Sequence, residues 1–121
     1  MPARTGPTNP MLRRLIRQLR EHGRKHKAKI WLDIAERLEG PSRIRSEVNL
    51  SQLERYASNG DVVVVPGKVL AAGRLSHPIS VAAFRFSSPA RRKLMMAGGR
   101  ALTIQELMEQ NPTGKGVKLM E

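Results

Sequence analysis

The stretch VVVVPGKVLAAGRLSHPISVAAFRFSSPARRKLMMAGG, residues 62–99, decides how this chain folds. It opens on four valines, Val62 to Val65, a β-branched run suited to a strand buried on both faces. Pro66-Gly67 predicts a turn. Lys68 to Leu75 holds Gly73 and two alanines, where backbones can approach closely. Ile79 to Phe86 is the next strand candidate, Ser88-Pro89 predicts a helix start (a cap, then proline), and Gly98-Gly99 predicts its stop. Short strands separated by short helices make this an α/β fold.

Working outward, Asn9-Pro10 predicts a helix whose apolar face is Leu12, Leu15, Ile16 and Leu19, with Gly23 as its stop. Arg13, Arg17, Arg20 and Arg24 follow the same three-to-four spacing and form a stripe, prolonged by Lys25, Lys27 and Lys29. A second helix is expected over roughly residues 28–39, with Trp31, Ile34, Ala35 and Leu38 inward and an Asp33–Arg37 pair. Gly40-Pro41 ends it. Val48-Asn49-Leu50 is a brief strand candidate. Ser51 to Glu54 reads as a capping box and Asn59-Gly60 as the end of its helix. Thr103 to Glu106 is a second box, opening a helix to about Gln110 that Asn111-Pro112 breaks, and Val117 to Met120 predicts a last strand. At 121 residues the expectation is a single domain, with residues 1–29 a basic arm and helix and residues 30–121 the α/β core.

The charge of +12 comes from 22 Lys+Arg against 10 Asp+Glu, and it is segregated. Residues 1–30 hold nine bases and only Glu21; residues 61–100 hold seven bases and only Asp61. The stretches between and after them are near neutral. Solubility alone would intersperse the signs, whereas two basic blocks suit a polyanion. A membrane surface fits less well, because no basic helix shows the apolar wedge such binders need. No run approaches the roughly 18 apolar residues of a membrane helix, and the N-terminus lacks a signal-like apolar stretch, so the expected location is cytoplasmic. Nucleic acid is the leading partner.

Catalytic patterns are missing. Zero cysteines exclude disulfides, a thiol nucleophile and thiolate zinc sites. Neither Gly-x-Ser-x-Gly nor a P-loop spacing occurs. His22 and His26 are four apart, but cations surround them and no third ligand is nearby. His77 precedes Pro78 and reads as a turn residue. Met95, Met96 and Met108 are expected as flexible core filler, and Trp31, Tyr56, Phe84 and Phe86 as core rings. With few rings to stack bases, structured RNA read through backbone and shape is favoured. A histidine-dependent RNA-processing enzyme and a DNA binder are the alternatives. No catalytic residue, metal, cofactor or small-molecule substrate is expected.

Residues 67–98 resemble a known family. Lys68-Val69-Leu70-Ala71-Ala72-Gly73-Arg74-Leu75, then Ile79-Ser80-Val81, then Phe86-Ser87, Ala90, Leu94 and Gly98 match the signature of the L-fifteen/L-eighteen-e superfamily of large-subunit ribosomal proteins. Many members carry glycine where Ala71 stands. The Asn9-Pro10 helix, the Trp31 helix and Val48-Asn49-Leu50-Ser51 resemble its archaeal-type L-eighteen-e branch, and the similarity spans about residues 8–120. The resemblance implies an irregular β-β-α superhelical core preceded by two N-terminal helices. It implies a non-enzymatic structural role on large-subunit rRNA, among neighbouring large-subunit proteins. By position it implies rRNA contacts from Lys68, Arg74, Arg85, Arg91, Arg92 and Lys93, and from the stripe Arg13, Arg17, Arg20 and Arg24. Charge adds Arg4, Arg14, Lys25, Lys27, Lys29, Arg43, Arg45 and Arg100 as candidates.

Overall fold

The structure is a computed structural model that describes residues 9–40 and 46–120. Along the chain run α1 (Pro10–His26), α2 (Lys29–Leu38), β1 (Ser46–Asn49), α3 (Leu50–Tyr56) and β2 (Val62–Leu70). Then come β3 (Ser80–Phe86), α4 (Ser88–Met96), β4 (Arg100–Thr103), α5 (Ile104–Gln110) and β5 (Val117–Leu119). All five strands join one sheet through parallel ladders, so the α/β expectation holds. From β2 the sheet extends through β3 to β4 on one side, and β1 and β5 share the other edge.

That sharing turns on Pro66-Gly67. β5 pairs with Val62 to Val64 and β1 with Gly67 to Leu70. Between the two, Val65 faces Ala83 while Lys68 faces Arg85, so β2 has one residue more than β3. Proline has no N–H for a ladder, and a bulge is where a sheet accommodates it. The expected turn is therefore a bulge inside a nine-residue strand.

The pleat sends β2 into two cores. Val64, with Ala82 and Leu102, meets Leu12, Leu15, Ile16 and Leu19 of α1, Trp31, Ile34, Ala35 and Leu38 of α2, and Ile104, Leu107 and Met108 of α5. Val63, Val65 and Val69, with Val81 and Ala83, meet Leu50 and Leu53 of α3 and Ala90 and Leu94 of α4. Three layers result, and no polar or charged residue is buried among those described.

Several local signals act differently from expectation. Gly23 does not stop α1: it lies within the helix, where a Cβ would come 2.9 Å from Leu32. Its role is close approach of α2. The stop falls at Lys27, in a left-handed conformation (φ 51) that lets the Ala28 N–H reach the Gly23 carbonyl at 2.9 Å. Asn9 caps α1 as expected, accepting from the Met11 N–H at 2.9 Å. α3 begins at Leu50, ahead of the Ser51 box; Gln52 accepts the Asn49 N–H at 2.8 Å instead, which frees Glu54. α3 ends at Tyr56, before Asn59-Gly60. Ser87 caps α4, one residue earlier than expected. The Thr103–Glu106 box forms as read, at 3.0 and 2.8 Å. β4, only four residues long, carries no strand signal of its own and is specified by pairing with β3.

Parallel β2 and β3 are joined without a helix, so residues 71–79 must run back along the sheet. They do so against α3: the Ser51 N–H bonds the Ala72 carbonyl at 3.1 Å and the Gly60 N–H the Pro78 carbonyl at 2.8 Å. Gly73 makes the first corner at φ 98, and a Cβ there would stand 2.4 Å from the Ser51 Cβ. Gly73→Ala should therefore cost roughly 2–3 kcal/mol, strain and clash together. Gly60→Ala, at φ 84 with open space around it, should cost about 1 kcal/mol. Denaturant melts of the two variants check the order.

Candidate nucleic-acid interface

α1 presents the first basic surface. Its apolar face is buried, and Arg13, Arg14, Arg17, Arg24 and Lys25 stand exposed on the other sides, followed by exposed Lys27 and Lys29. Arg20 departs from the stripe: its guanidinium is ion-paired to the Glu39 carboxylate just past α2. It braces the helix pair, and three arginines of the stripe point to solvent.

The second surface lies at the C-terminal ends of β2 and β3. The bulge sets Lys68 directly beside Arg85. Both cations are exposed, while their neighbours Val69 and Phe86 pack into the core under α4. Like charges facing each other across a ladder are unfavourable. On its other side Lys68 faces Glu47 of β1, so the row across the sheet reads Glu47–Lys68–Arg85, one acid against two cations. The Arg85 guanidinium lies 5.1 Å from the Phe84 ring centre and that of Arg91, on α4, 5.4 Å from Phe86. Each ring packs one flank against a core and carries an arginine on the other. The rings thus support cations as well as filling space, a role the Phe84-Arg85 adjacency alone could have hinted at.

Arg74 rides on the return segment, which Glu54 secures. The Glu54 carboxylate accepts from the Ser76 N–H (3.1 Å) and hydroxyl (2.5 Å) and lies 2.9 Å from His77 Nδ1. His77 Nε2 is 2.7 Å from the Ala57 carbonyl. The Ser76 hydrogen bonds, chiefly the hydroxyl's, hold the Glu54 carboxyl below its ordinary value. Lys93 is a brace too, its ammonium donating to the Ala71 and Gly73 carbonyls at 3.0 and 3.3 Å. Arg92 is exposed on α4. Arg100, also exposed, starts β4 opposite Ser80, at the other end of the sheet from Lys68 and Arg85. Arg4, Arg43 and Arg45 lie outside the described residues.

The histidines serve the fold. His22 Nε2 and the buried Trp31 Nε1 both meet the Pro112 carbonyl, at 3.1 and 2.7 Å, tying α1 and α2 to the segment after α5. Burial first, then His26 and Lys25, lowers the His22 pKa. Among the described residues no cluster of three metal-ligating side chains occurs, and no helix is long and apolar enough to cross a membrane. Asp61 accepts from the Ser58 N–H (2.8 Å) and the Lys118 ammonium (2.7 Å). Tyr56 corrects the expectation of core rings: it is 49% exposed, with Lys118 Nζ 5.7 Å from its ring centre.

The family model described as ribosomal protein 60S L18 and 50S L18e matches residues 3–121. The chain belongs to this family. Its relatives include the large ribosomal subunit protein eL18 of Methanopyrus kandleri, 48% identical with 98% of both chains covered. Those of Pyrobaculum aerophilum (50% identical, 98% of each covered) and Methanococcus maripaludis (48%, 93% and 94% covered) are similarly close. The family is one of structural, non-enzymatic ribosomal components, and the resemblance to archaeal-type L-eighteen-e, read over about residues 8–120, is thereby shown.

This geometry makes two outcomes testable. Removing the acid that faces Lys68, Glu47→Gln, should destabilise the free protein by roughly 0.2–1 kcal/mol in a denaturant melt at low salt. Acid should destabilise the fold in two stages. The unfolded chain protonates His22 before the folded chain does, so stability declines below pH 6.5. Glu54, Glu106 and Asp61 all have depressed folded values, so their contribution is full above the ordinary 4.5 (Asp61, 3.8) and is lost as pH falls through the lower folded values. Glu54→Gln should shrink the second stage and leave the first unchanged, as read from melts across that range.

Proposed function

We propose that this protein is a structural constituent of the large ribosomal subunit that binds folded large-subunit rRNA through two basic surfaces. It works in the ribosome beside neighbouring large-subunit proteins, as the relatives' names indicate for them. The observation that carries the reading is the Lys68–Arg85 pair, built by a bulge into direct opposition in a row where Glu47 offsets only one of the two cations. A phosphate placed between the two cations turns their mutual repulsion into attraction. Guanidinium forks bind phosphate oxygens bidentately, and rings behind Arg85 and Arg91 restrict their motion, so less entropy is lost on binding. The α1 arginines supply a second group of phosphate contacts.

The histidine-dependent alternative loses support, since His22 and His77 are bonded to carbonyl or carboxylate oxygens of the fold. Binding to a large-subunit rRNA transcript should weaken steeply with salt, with a log–log slope of about −0.9 for each phosphate neutralised on duplex. Arg85→Gln and Arg17→Gln should each flatten the slope by about one such step. Salt-insensitive affinity would contradict the mechanism, and equal affinity for a DNA duplex would favour a DNA binder.

A further inference from the structure

α4 ends in two large apolar side chains that the fold does not use. Ala90 and Leu94 are its buried residues, while Met95 is 64% and Met96 80% exposed, contrary to their expected place in the core; Met108 alone of the three is buried. Their platform is rigid. The Gly98 and Gly99 N–H groups bond the Met95 and Leu94 carbonyls at 3.0 and 2.9 Å, and the Arg100 N–H bonds the Ile79 carbonyl at 3.0 Å. Gly99 lies so close to β3's approach that a Cβ there would stand 2.2 Å from the Ile79 carbonyl oxygen.

The charge around the pair says what covers it. One turn back on α4 stand exposed Arg91 and Arg92, and exposed Arg100 comes just past the two glycines; the Glu106 carboxylate feels Arg100 and Arg91, one acid against three cations. An apolar protein surface approaching the methionines would have to bury this excess of positive charge, at high cost. RNA satisfies both: its phosphates neutralise the arginines while its bases offer flat apolar faces. Methionine is among the side chains that nucleic-acid-binding proteins wedge between bases, and its flexible, polarisable thioether suits that contact.

We propose that Met95 and Met96 form an apolar wedge that inserts between unstacked bases of an rRNA loop or bulge, flanked by arginine contacts to its phosphates. This rests on the rRNA-binding reading and adds base contact to it. Single-stranded loops and bulges are where RNA bases are free to be splayed.

The test compares the full chain with three double variants on a large-subunit rRNA transcript. Met95→Gln/Met96→Gln should bind about tenfold more weakly with an unchanged salt slope, because apolar insertion releases no counterions. Met95→Leu/Met96→Leu should stay within about threefold of the original chain. Arg91→Gln/Arg92→Gln should flatten the slope. Chemical probing should show a few nucleotides made reactive by the original chain and not by the glutamine variant. A glutamine variant that binds rRNA as tightly as the original overturns the wedge; if that variant also failed to enter large subunits, the patch would be a protein contact. An original chain that does not bind rRNA would overturn the functional reading itself.

Discussion

Everything in this molecule is arranged around a single strand that has to satisfy three neighbours. β2 pairs with β3 along one edge and with both β1 and β5 along the other. Its valines reach both cores, Val64 beneath α1, α2 and α5, and Val63, Val65 and Val69 beneath α3 and α4. A strand buried on both faces has no polar side to spare, which is why its sequence is almost continuously aliphatic. Pro66-Gly67 is the concession in it: the extra residue separates the β5-paired half from the β1-paired half and re-aims the side chains beyond it. The first of these is Lys68, beside Arg85.

The same economy governs the charges. Cations that have acidic or carbonyl partners hold the scaffold: Arg20 on Glu39, Lys118 on Asp61, Lys93 on the Ala71 and Gly73 carbonyls. These pairs sit at the surface, and each adds little stability by itself. Their use is positional, since they pin α1 to α2, the β5 edge to the turn before β2, and the return segment to α4. The other cations on α1 and at the strand ends are exposed; the fold places rings against Arg85 and Arg91 and a single acid, Glu47, across from Lys68. An electrostatic surface of this kind carries affinity and orientation; sequence discrimination must come from contact with bases or from RNA shape.

Much of this is legible in the residues. Helical spacing at Leu12, Leu15, Ile16 and Leu19, the Asn9-Pro10 cap, the Thr103–Glu106 box and the valine run all act locally, so their meaning survives folding. Gly23 and Pro66-Gly67 mislead for a shared reason. Both are local breakers, and tertiary context overrides them: Leu32 needs the space at Gly23, and the bulge needs no N–H at Pro66. Ser51 looks like a cap because Glu54 stands three residues later, the right spacing, but Glu54 binds Ser76, 22 residues away. β4 and the exposure of Met95 and Met96 are hidden because pairing partners and solvent are not written in a short segment's own composition. For the interface, charge segregation indicates the two surfaces, yet it cannot tell Arg20 and Lys93, which brace, from Arg17 and Arg92, which stand exposed.

The most direct test of the two-surface claim is arginine-specific chemical footprinting, read by mass spectrometry, of the free chain against the chain in purified large subunits. Arg13, Arg17, Arg24, Arg85 and Arg92 should lose reactivity on assembly while Arg55, exposed on near-neutral α3, keeps it. Unchanged reactivity of those five, with Arg55 protected instead, would contradict this picture of how the protein meets rRNA.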